Sequence, residues 1–115
     1  MRKEIDALLK NFVSDGDAAS AELAFPAGFS GFQGHFPEQP VLPGVCQLTL
    51  AMVMADRMCG KRMKMGAATN AKFVAMVVPD QPLEIKCTLA DGTLSASLTS
   101  KGERVGQFKL KVEHA

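Results

Sequence analysis

Several residue types and patterns are missing from this 115-residue sequence, and their absence narrows the class of protein. It contains neither tryptophan nor tyrosine, so it has little aromatic surface on which nucleic-acid bases could stack. Its formal net charge is only +1, whereas nucleic-acid-binding domains are usually strongly basic. No apolar run reaches the roughly 18 residues of a membrane span, and Glu4 and Asp6 interrupt the N-terminal stretch where a secretory signal would lie. We therefore expect a cytoplasmic protein that binds neither nucleic acid nor membrane.

Cysteine is also scarce. Cys46, Cys59 and Cys87 are widely separated, form no C-x-x-C pair, and have no metal-ligand spacing with His35 or His114. We predict reduced, partly buried thiols and no metal site. The remaining composition, 47% hydrophobic and 22% charged, is that of an ordinary soluble domain. The length fits one domain, and we assign residues 1–115 to it.

The spacing of hydrophobic residues is helical in two segments of the chain and strand-like in several others. Residues 3–12 carry apolar side chains at helical spacing, which predicts a short amphipathic helix. Residues 45–59 are apolar around nearly the whole circumference, which predicts a buried helix that ends at Gly60. Strand-like runs, most of them alternating, lie before and after this helix, and Asp91-Gly92 indicates a hairpin turn between two of them. The predicted strands cover residues 17–26, 69–78, 83–90, 93–99 and 104–113, with further turns at 79–82 and 100–103. Together these elements indicate an α+β fold in which a sheet covers the buried helix.

The segment FQGHFPEQPVLPGV, residues 32–45, is the part of the sequence that indicates chemistry. Its prolines fix a rigid path that places His35 shortly before the buried helix. The first amides of that helix have no partner inside it and can bind a carbonyl oxygen that gains negative charge. A neutral histidine beside them can act as a general base. Taken alone, His35 also fits a turn histidine that hydrogen-bonds to its own loop, which is the more frequent case for an isolated loop histidine.

The motif GHFPxxPxxPGV resembles the signature of the 3-hydroxyacyl-acyl-carrier-protein dehydratases, and residues 71–85, AKFVAMVVPDQPLEI, resemble the next strand and turn of that family. The order LPGV followed by Gln47-Leu48 looks more like the aryl-polyene-pathway branch than the housekeeping fatty-acid branch. The resemblance implies a hotdog fold, with an antiparallel sheet wrapped around a long buried central helix. It also implies a homodimer or dimer-based oligomer, with active sites at the subunit interface, that removes water from a 3-hydroxyacyl thioester carried by an acyl-carrier protein or coenzyme A. No cofactor is implied.

The same resemblance implies which residues form the site. His35 falls on the position of the catalytic base. The backbone N–H groups of Gly44 and Val45 fall where the thioester carbonyl is polarised, and we also assign Phe36 and Phe73 to substrate binding. The second catalytic residue of the family is a Glu or Asp on the central helix, five positions after the glycine of the motif. Thr49 occupies that position here.

Thr49 is the main departure from the family pattern. A Thr hydroxyl can hydrogen-bond the departing hydroxyl but cannot deliver a proton at neutral pH as a carboxyl does, and the loss of a general acid typically lowers the rate by ~10²–10⁴. The Thr49 hydroxyl can equally bond back to the carbonyl of Val45. Asp56 lies on nearly the same helix face but about 10 Å further along the axis. Glu38 can simply be solvated, and Gln47 is either polar lining or packing.

Three hypotheses follow. The first is an acyl-thioester dehydratase that uses the site just described. The second is a non-catalytic acyl-binding or scaffold homologue that could partner an active relative, which the missing carboxylate motivates. The third is a thioesterase on the same fold, in which Thr49 positions water or the acyl group. A basic run of Lys61, Arg62 and Lys64 is either a docking patch for an acidic carrier protein or a solvated loop.

Overall fold

The computed structural model describes residues 1–32 and 41–115 of the chain. Six strands in this part of the chain form one antiparallel sheet in the order β1-β2-β4-β5-β6-β3. Within the same residues, no helix is both long enough and apolar enough to cross a membrane. In chain order the elements are α1 (Arg2–Leu8), β1 (Lys10–Asp15), β2 (Ala18–Leu23), a 3-10 turn (Ser30–Phe32), α2 (Gly44–Cys59), β3 (Met63–Phe73), β4 (Leu83–Ala90), β5 (Thr93–Ser100) and β6 (Glu103–His114).

The central helix α2 is buried, as its apolar circumference predicts. Every side chain from Leu50 to Ala55 is no more than 2% exposed. Pro43 precedes the helix in an extended conformation, and Gly60 ends it in the left-handed region with a φ of +68°. A side chain with a Cβ is strained in that region, so a glycine suits the end of the helix. The observed bounds confirm the predicted helix over residues 45–59 to within one residue.

Strands β4, β5 and β6 form the meander that the alternating sequence predicts. Every second residue of β5 is buried, and the buried faces of these strands join α2 in one hydrophobic core. Asp91 and Gly92 both have positive φ, as a two-residue hairpin turn of type I′ requires. Lys101 and Gly102 do the same between β5 and β6. The structure therefore confirms an α+β architecture with an antiparallel sheet wrapped around a buried helix.

The N-terminal prediction is wrong beyond residue 8. The sequence predicts a helix over residues 3–12, but α1 ends at Leu8 and the chain continues as β1. A tight turn at Gly16, whose φ is +61°, returns the chain into β2. The backbone groups of β1 therefore pair with a neighbouring strand rather than along a helix, and this pairing overrides the helical spacing of Phe12.

Strand β3 begins and ends earlier than the predicted residues 69–78. It starts at Met63 because it pairs antiparallel with β6, and this pairing continues to Phe73, where β3 ends. The strand lies at the edge of the sheet, and residues 64–73 are all exposed. The apolar residues that follow Phe73 belong to a loop rather than to the strand.

Candidate active site

A cavity of about 420 Å³ lies at the N-terminal end of α2. Glycine and apolar side chains form most of its wall, and Gln47 is the one polar side chain among the described lining residues. The cavity lies at the end of α2 that carries the positive pole of the helix dipole. Its described lining residues are Val41, Leu42, Gly44, Gln47, Phe73, Val74, Ala75 and Met76.

The first turn of α2 begins at this cavity with Gly44, which is one of its lining residues. Pro43 has no side chain that caps the helix, and its carbonyl accepts the N–H of Cys46 at 3.0 Å. The N–H groups of Gly44 and Val45 have no acceptor within the helix. Val45, the next residue, is not among the described lining residues. The pair of amides is suited to bind an oxygen that carries partial or full negative charge.

Gly44 and Phe73 are brought into direct contact. A Cβ at Gly44 would lie 2.9, 3.1 and 3.2 Å from three ring atoms of Phe73. Because real Cβ atoms almost never approach so closely, the position favours glycine. The Phe73 ring is 45% exposed and also lies 6.1 Å, centroid to centroid, from the ring of Phe108. Phe73 therefore forms an apolar wall beside the first helical amide.

Gln47 is buried, with 2% of its surface exposed. Its Oε1 has no hydrogen-bond partner among the residues that the structure describes. A Cβ built at Gly106 would lie only 2.5 Å from this oxygen and 3.4 Å from Cδ1 of Phe73. The absence of a side chain at Gly106 therefore lets the carboxamide oxygen pack against the backbone of β6.

The Thr49 hydroxyl donates a hydrogen bond to the carbonyl of Val45 at 2.9 Å. This is one of the two arrangements that the sequence leaves open, and it commits the hydroxyl hydrogen to the backbone of α2. The oxygen keeps lone pairs that can still accept a hydrogen bond. Among the cavity-lining residues, Gln47 is present and Thr49 is not.

Asp56 is occupied by structural contacts. Its Oδ1 accepts the backbone N–H of Met63 at 2.7 Å, and its Oδ2 lies 3.0 Å from the Arg2 guanidinium. These contacts hold α1, the end of α2 and the start of β3 together. Within this chain, Asp56 therefore does not take over the role of the carboxylate that Thr49 replaces.

The basic run after α2 is exposed at Lys61, Arg62 and Lys64. It follows the C-terminal end of the 16-residue helix, whereas the cavity lies at the other end. At 1.5 Å per residue this separates the two by about 24 Å along the helix. The run is thus remote from the cavity of the same chain.

The remaining predicted residues divide into two groups. His35, Phe36 and Glu38 lie outside the described residues. The three cysteines form no disulfide: Cys46 and Cys87 are buried and Cys59 is half-buried. Burial raises the pKa of the Cys87 thiol to about 12, and burial together with the negative charge of Glu4 raises the pKa of Cys46. Both buried thiols therefore stay protonated near neutral pH.

Two features, one in the cavity wall and one beside it, were not assigned from sequence. Gln47 is a polar residue on an otherwise apolar stretch of helix, and this signal left polar lining and packing as alternatives. Gly106 stands inside a strand, where glycine often marks the close approach of another group. That signal was present in the sequence, but it did not identify Gln47 as the approaching side chain.

An antiparallel sheet wrapped around a buried central helix is the architecture of the hotdog class. The dehydratase heterocomplex ApeI:P from Xenorhabdus doucetiae contains a chain that superposes with a TM-score of 0.83 at 23% sequence identity. The superposition covers 91% of this chain and 96% of that one. This likeness confirms the predicted hotdog fold.

The family model described as ApeI-like, ApeI dehydratase, matches residues 11–109, and the chain therefore belongs to this dehydratase family. The 3-hydroxyacyl-acyl-carrier-protein dehydratase FabZ of Clostridium beijerinckii is 32% identical over 93 residues, which cover 75% of this chain. FabZ of Latilactobacillus sakei is 43% identical over 81 residues, or 64% of this chain. The matches span 61% and 58% of these relatives, less than two thirds of their length. The resemblance of the GHFPxxPxxPGV motif to dehydratases is confirmed.

Proposed function

We propose that the chain is a 3-hydroxyacyl-thioester dehydratase of fatty-acid or polyene-type lipid biosynthesis. Its substrate would be carried by an acyl-carrier protein or coenzyme A. The main support is the cavity at the N-terminus of α2, in a chain that belongs to a dehydratase family. The three free thiols are consistent with a cytoplasmic location, which is part of the proposal.

The N–H groups of Gly44 and Val45 polarise the thioester carbonyl in this proposal. The proton on C2 of the substrate is very weakly acidic until the developing enolate oxygen is stabilised. Two helix amides beside a wall of apolar side chains suit this task, because their interaction with charge is strengthened where water is excluded. The ring of Phe73 beside Gly44 would help to exclude that water.

His35 is the proposed base. It takes the proton from C2, the C3–O bond breaks, and a double bond forms between C2 and C3. Thr49 cannot supply the proton that the departing hydroxyl needs. We therefore assign that proton to the imidazolium of His35, which becomes neutral again as water leaves. Thr49 is not among the described lining residues of the cavity in its own chain, so we assign its contact with substrate to the site shared with a partner subunit. There its oxygen, whose hydrogen is held by the Val45 carbonyl, accepts a hydrogen bond from the substrate hydroxyl and orients it.

Turnover of 3-hydroxyacyl-pantetheine thioesters of several chain lengths tests this function. We expect 2-enoyl thioester to form and the activity to disappear in His35→Ala. Release of free thiol is followed in the same reactions, because its appearance would indicate a thioesterase instead. If no chain length gives enoyl product above the His35→Ala level, the dehydratase proposal fails.

A non-catalytic acyl-binding subunit is the second candidate. Two observations favour it: the hydroxyl at the usual carboxylate position is bonded to its own helix, and the solved structure with a TM-score of 0.83 is a dehydratase heterocomplex. In this case the native chain would have no turnover of its own. Thr49→Glu would then create activity where there was none, whereas an active native protein would exclude this candidate.

We also propose that the chain works as a dimer or dimer-based oligomer. Strand β3 is an edge strand whose residues 64–73 are exposed, and a long unprotected edge readily pairs with another chain. Exposed apolar side chains continue past its end at Val74, Met76 and Val78. Light scattering coupled to gel filtration should give at least twice the 12.3 kDa mass of one chain. A stable monomer would contradict this part of the proposal.

A further inference from the structure

The 3-10 turn Ser30–Phe32 leads into the part of the chain that carries His35. Three residues of chain span at most about 11 Å, so the Cα atom of His35 lies within that distance of the Cα atom of Phe32. The covalent chain therefore ties the proposed base to this turn. Contacts that hold the turn in place also limit where His35 can lie.

The inner side of the turn is held by the hydrophobic core. Phe29 and Phe32 are buried, and their rings lie 6.0 Å apart, centroid to centroid, in an edge-to-face arrangement. A Cβ built at Gly31 would lie 2.5 Å from Cε2 of Phe29 and 2.7 Å from Sγ of Cys46. Cys46 belongs to the first turn of α2, so the 3-10 turn packs directly against the helix end whose amides are proposed to bind the carbonyl.

The outer side of the turn is held by a single carboxylate, that of Glu4 in α1. Its Oε2 accepts the backbone N–H of Ser30 at 3.2 Å, and its Oε1 accepts the Ser30 hydroxyl. The hydrogen bonds from the side chain and the backbone of Ser30 lower the pKa of the Glu4 carboxyl, so Glu4 is ionised at neutral pH. Because each carboxylate oxygen accepts a different donor of the same residue, the contact fixes direction as well as distance.

Helix α1 is attached to the domain without the help of Glu4. The side chain of Ile5 is fully buried in the core. Two ion pairs also join α1 to α2, namely Arg2–Asp56 at 3.0 Å and Asp6–Arg57 at 2.7 Å. Loss of the Glu4 carboxylate should therefore release the outer side of the turn and leave the helix in place.

We propose that Glu4 is a positioning residue for His35 and acts through its two hydrogen bonds to Ser30. The proposal rests on the proposed function, in which His35 takes the proton from C2 of the substrate. A general base must lie within about 3 Å of the atom that carries the proton, while the N-terminus of α2 holds the carbonyl oxygen. Because the 3-10 turn contacts that end of α2, the contact between Glu4 and Ser30 helps to set the distance from the base to the carbonyl site.

Glu4→Ala tests the proposal in steady-state kinetics with a 3-hydroxyacyl-pantetheine thioester. We expect kcat to fall about 10- to 100-fold, since a misplacement of about 1 Å can cost ~10² in rate. KM should change by less than about twofold, because the residues proposed to bind the thioester stay in place. Glu4→Gln keeps one acceptor oxygen and should restore part of kcat. Ser30→Ala added to Glu4→Ala should lower kcat no further, because both changes remove the same contact.

Glu22→Ala is the matched control. The Glu22 carboxylate is also exposed and also accepts a hydrogen bond, from the Asn11 side chain at 2.9 Å. This bond joins β2 to β1 rather than holding the turn before His35, so kcat should equal that of the native protein. Thermal unfolding is measured on every variant, and the kinetics are recorded below the lowest melting temperature. If Glu4→Ala lowers the melting temperature but leaves kcat unchanged, Glu4 only supports the fold and the proposal is overturned.

Nuclear magnetic resonance provides a measurement that needs no turnover. The chain has two histidines, so in a His114→Gln background the imidazole signals report on His35 alone. We expect Glu4→Ala to shift the Cε1–H resonance of His35 and Glu22→Ala to leave it unchanged. An unshifted resonance in Glu4→Ala would overturn the proposal, whatever the effect on the rate.

The two proposals can fail separately. A His35 resonance that shifts in Glu4→Ala, in a native protein without turnover, would reject the dehydratase function and leave the positioning of His35 by Glu4 standing. Turnover by the native protein, with a kcat that does not respond to Glu4→Ala, would reject the positioning role and leave the function standing.

Discussion

Asp56 provides a direct test of whether the carboxylate of α2 is structural or catalytic. Its Oδ1 accepts the Met63 N–H at 2.7 Å, and its Oδ2 lies 3.0 Å from Nη1 of Arg2. The same guanidinium nitrogen donates to the Met63 carbonyl at 3.1 Å. Removal of the carboxylate should therefore loosen the junction of α1, α2 and β3.

We expect Asp56→Ala to lower the free energy of unfolding by about 2–3 kcal/mol. A hydrogen bond from a backbone amide to a carboxylate contributes about 1.5–3 kcal/mol. The ion pair with Arg2 is 21% and 24% exposed at its two side chains, so it adds at most about 1 kcal/mol. Asp56→Asn keeps an oxygen for the Met63 amide and loses the charge, and its cost should be nearer 1 kcal/mol.

Urea unfolding at pH 7 measures these losses, and turnover is measured on the same variants below their melting temperatures. The structural role predicts an unchanged kcat in the folded protein. If Asp56 were instead a general acid, its replacement would lower kcat by ~10²–10⁴. A fall of that size with intact stability, or an unchanged free energy of unfolding in Asp56→Ala, would refute the reasoning.

Three further predictions concern packing, backbone and pH. Gly106→Ala should lower the free energy of unfolding by about 1–3 kcal/mol, because its Cβ would lie 2.5 Å from Oε1 of Gln47. In urea unfolding, Gly106→Ala should cost much less when it is combined with Gln47→Ala. If the losses of the two variants simply add, the contact is contradicted. Gly60→Ala should lower the free energy of unfolding by about 1–2 kcal/mol because of its φ of +68°, and an unchanged melting temperature would contradict this. The pKa of Cys87 rises from 9.0 to about 12 on folding; the unfolded chain therefore loses this proton first, and stability should fall as the pH rises between these values. Cys87→Ala should reduce that slope, and equal slopes would contradict the assignment.

Some elements were predictable from sequence because their buried residues recur at the spacing of a strand or a helix. In β5 the alternation of Leu94, Ala96 and Leu98 matches the buried face of the strand. In α2 the apolar residues surround the helix and every face is covered. Local spacing and tertiary environment agree in both elements, so either one leads to the same prediction.

The N-terminal residues and β3 depend on partners that are distant in sequence. Phe12 fits a helical spacing, but β1 forms because β2 lies beside it. Met63 begins β3 because it lies opposite His114, about fifty residues along the chain. The apolar pattern around these residues does not specify such pairings, and the bounds could not be predicted from it.

The candidate site was predictable in its frame but not in its side-chain contacts. The motif placed Gly44 and Val45 at the helix N-terminus, where the structure has them. The sequence left the Thr49 hydroxyl between two acceptors, because a side-chain torsion decides the choice. Gln47 lies two residues earlier, about 200° around the helix from Thr49, so the two polar groups face different surroundings. Only the three-dimensional structure shows that Gln47 lines the cavity.

The proposed proton path leads to a prediction about the pH dependence of the rate. If His35 acts first as base and then as acid, kcat/KM should rise as the imidazole loses its proton, near pH 6.5 in ordinary surroundings, and then stay level. A separate carboxylic acid would add a falling limb at higher pH, because activity would also require that group to be protonated. Thr49→Glu should introduce this limb if the new carboxyl delivers the proton. A bell-shaped profile in the native protein would contradict the single-residue path and require an acid from outside the described residues.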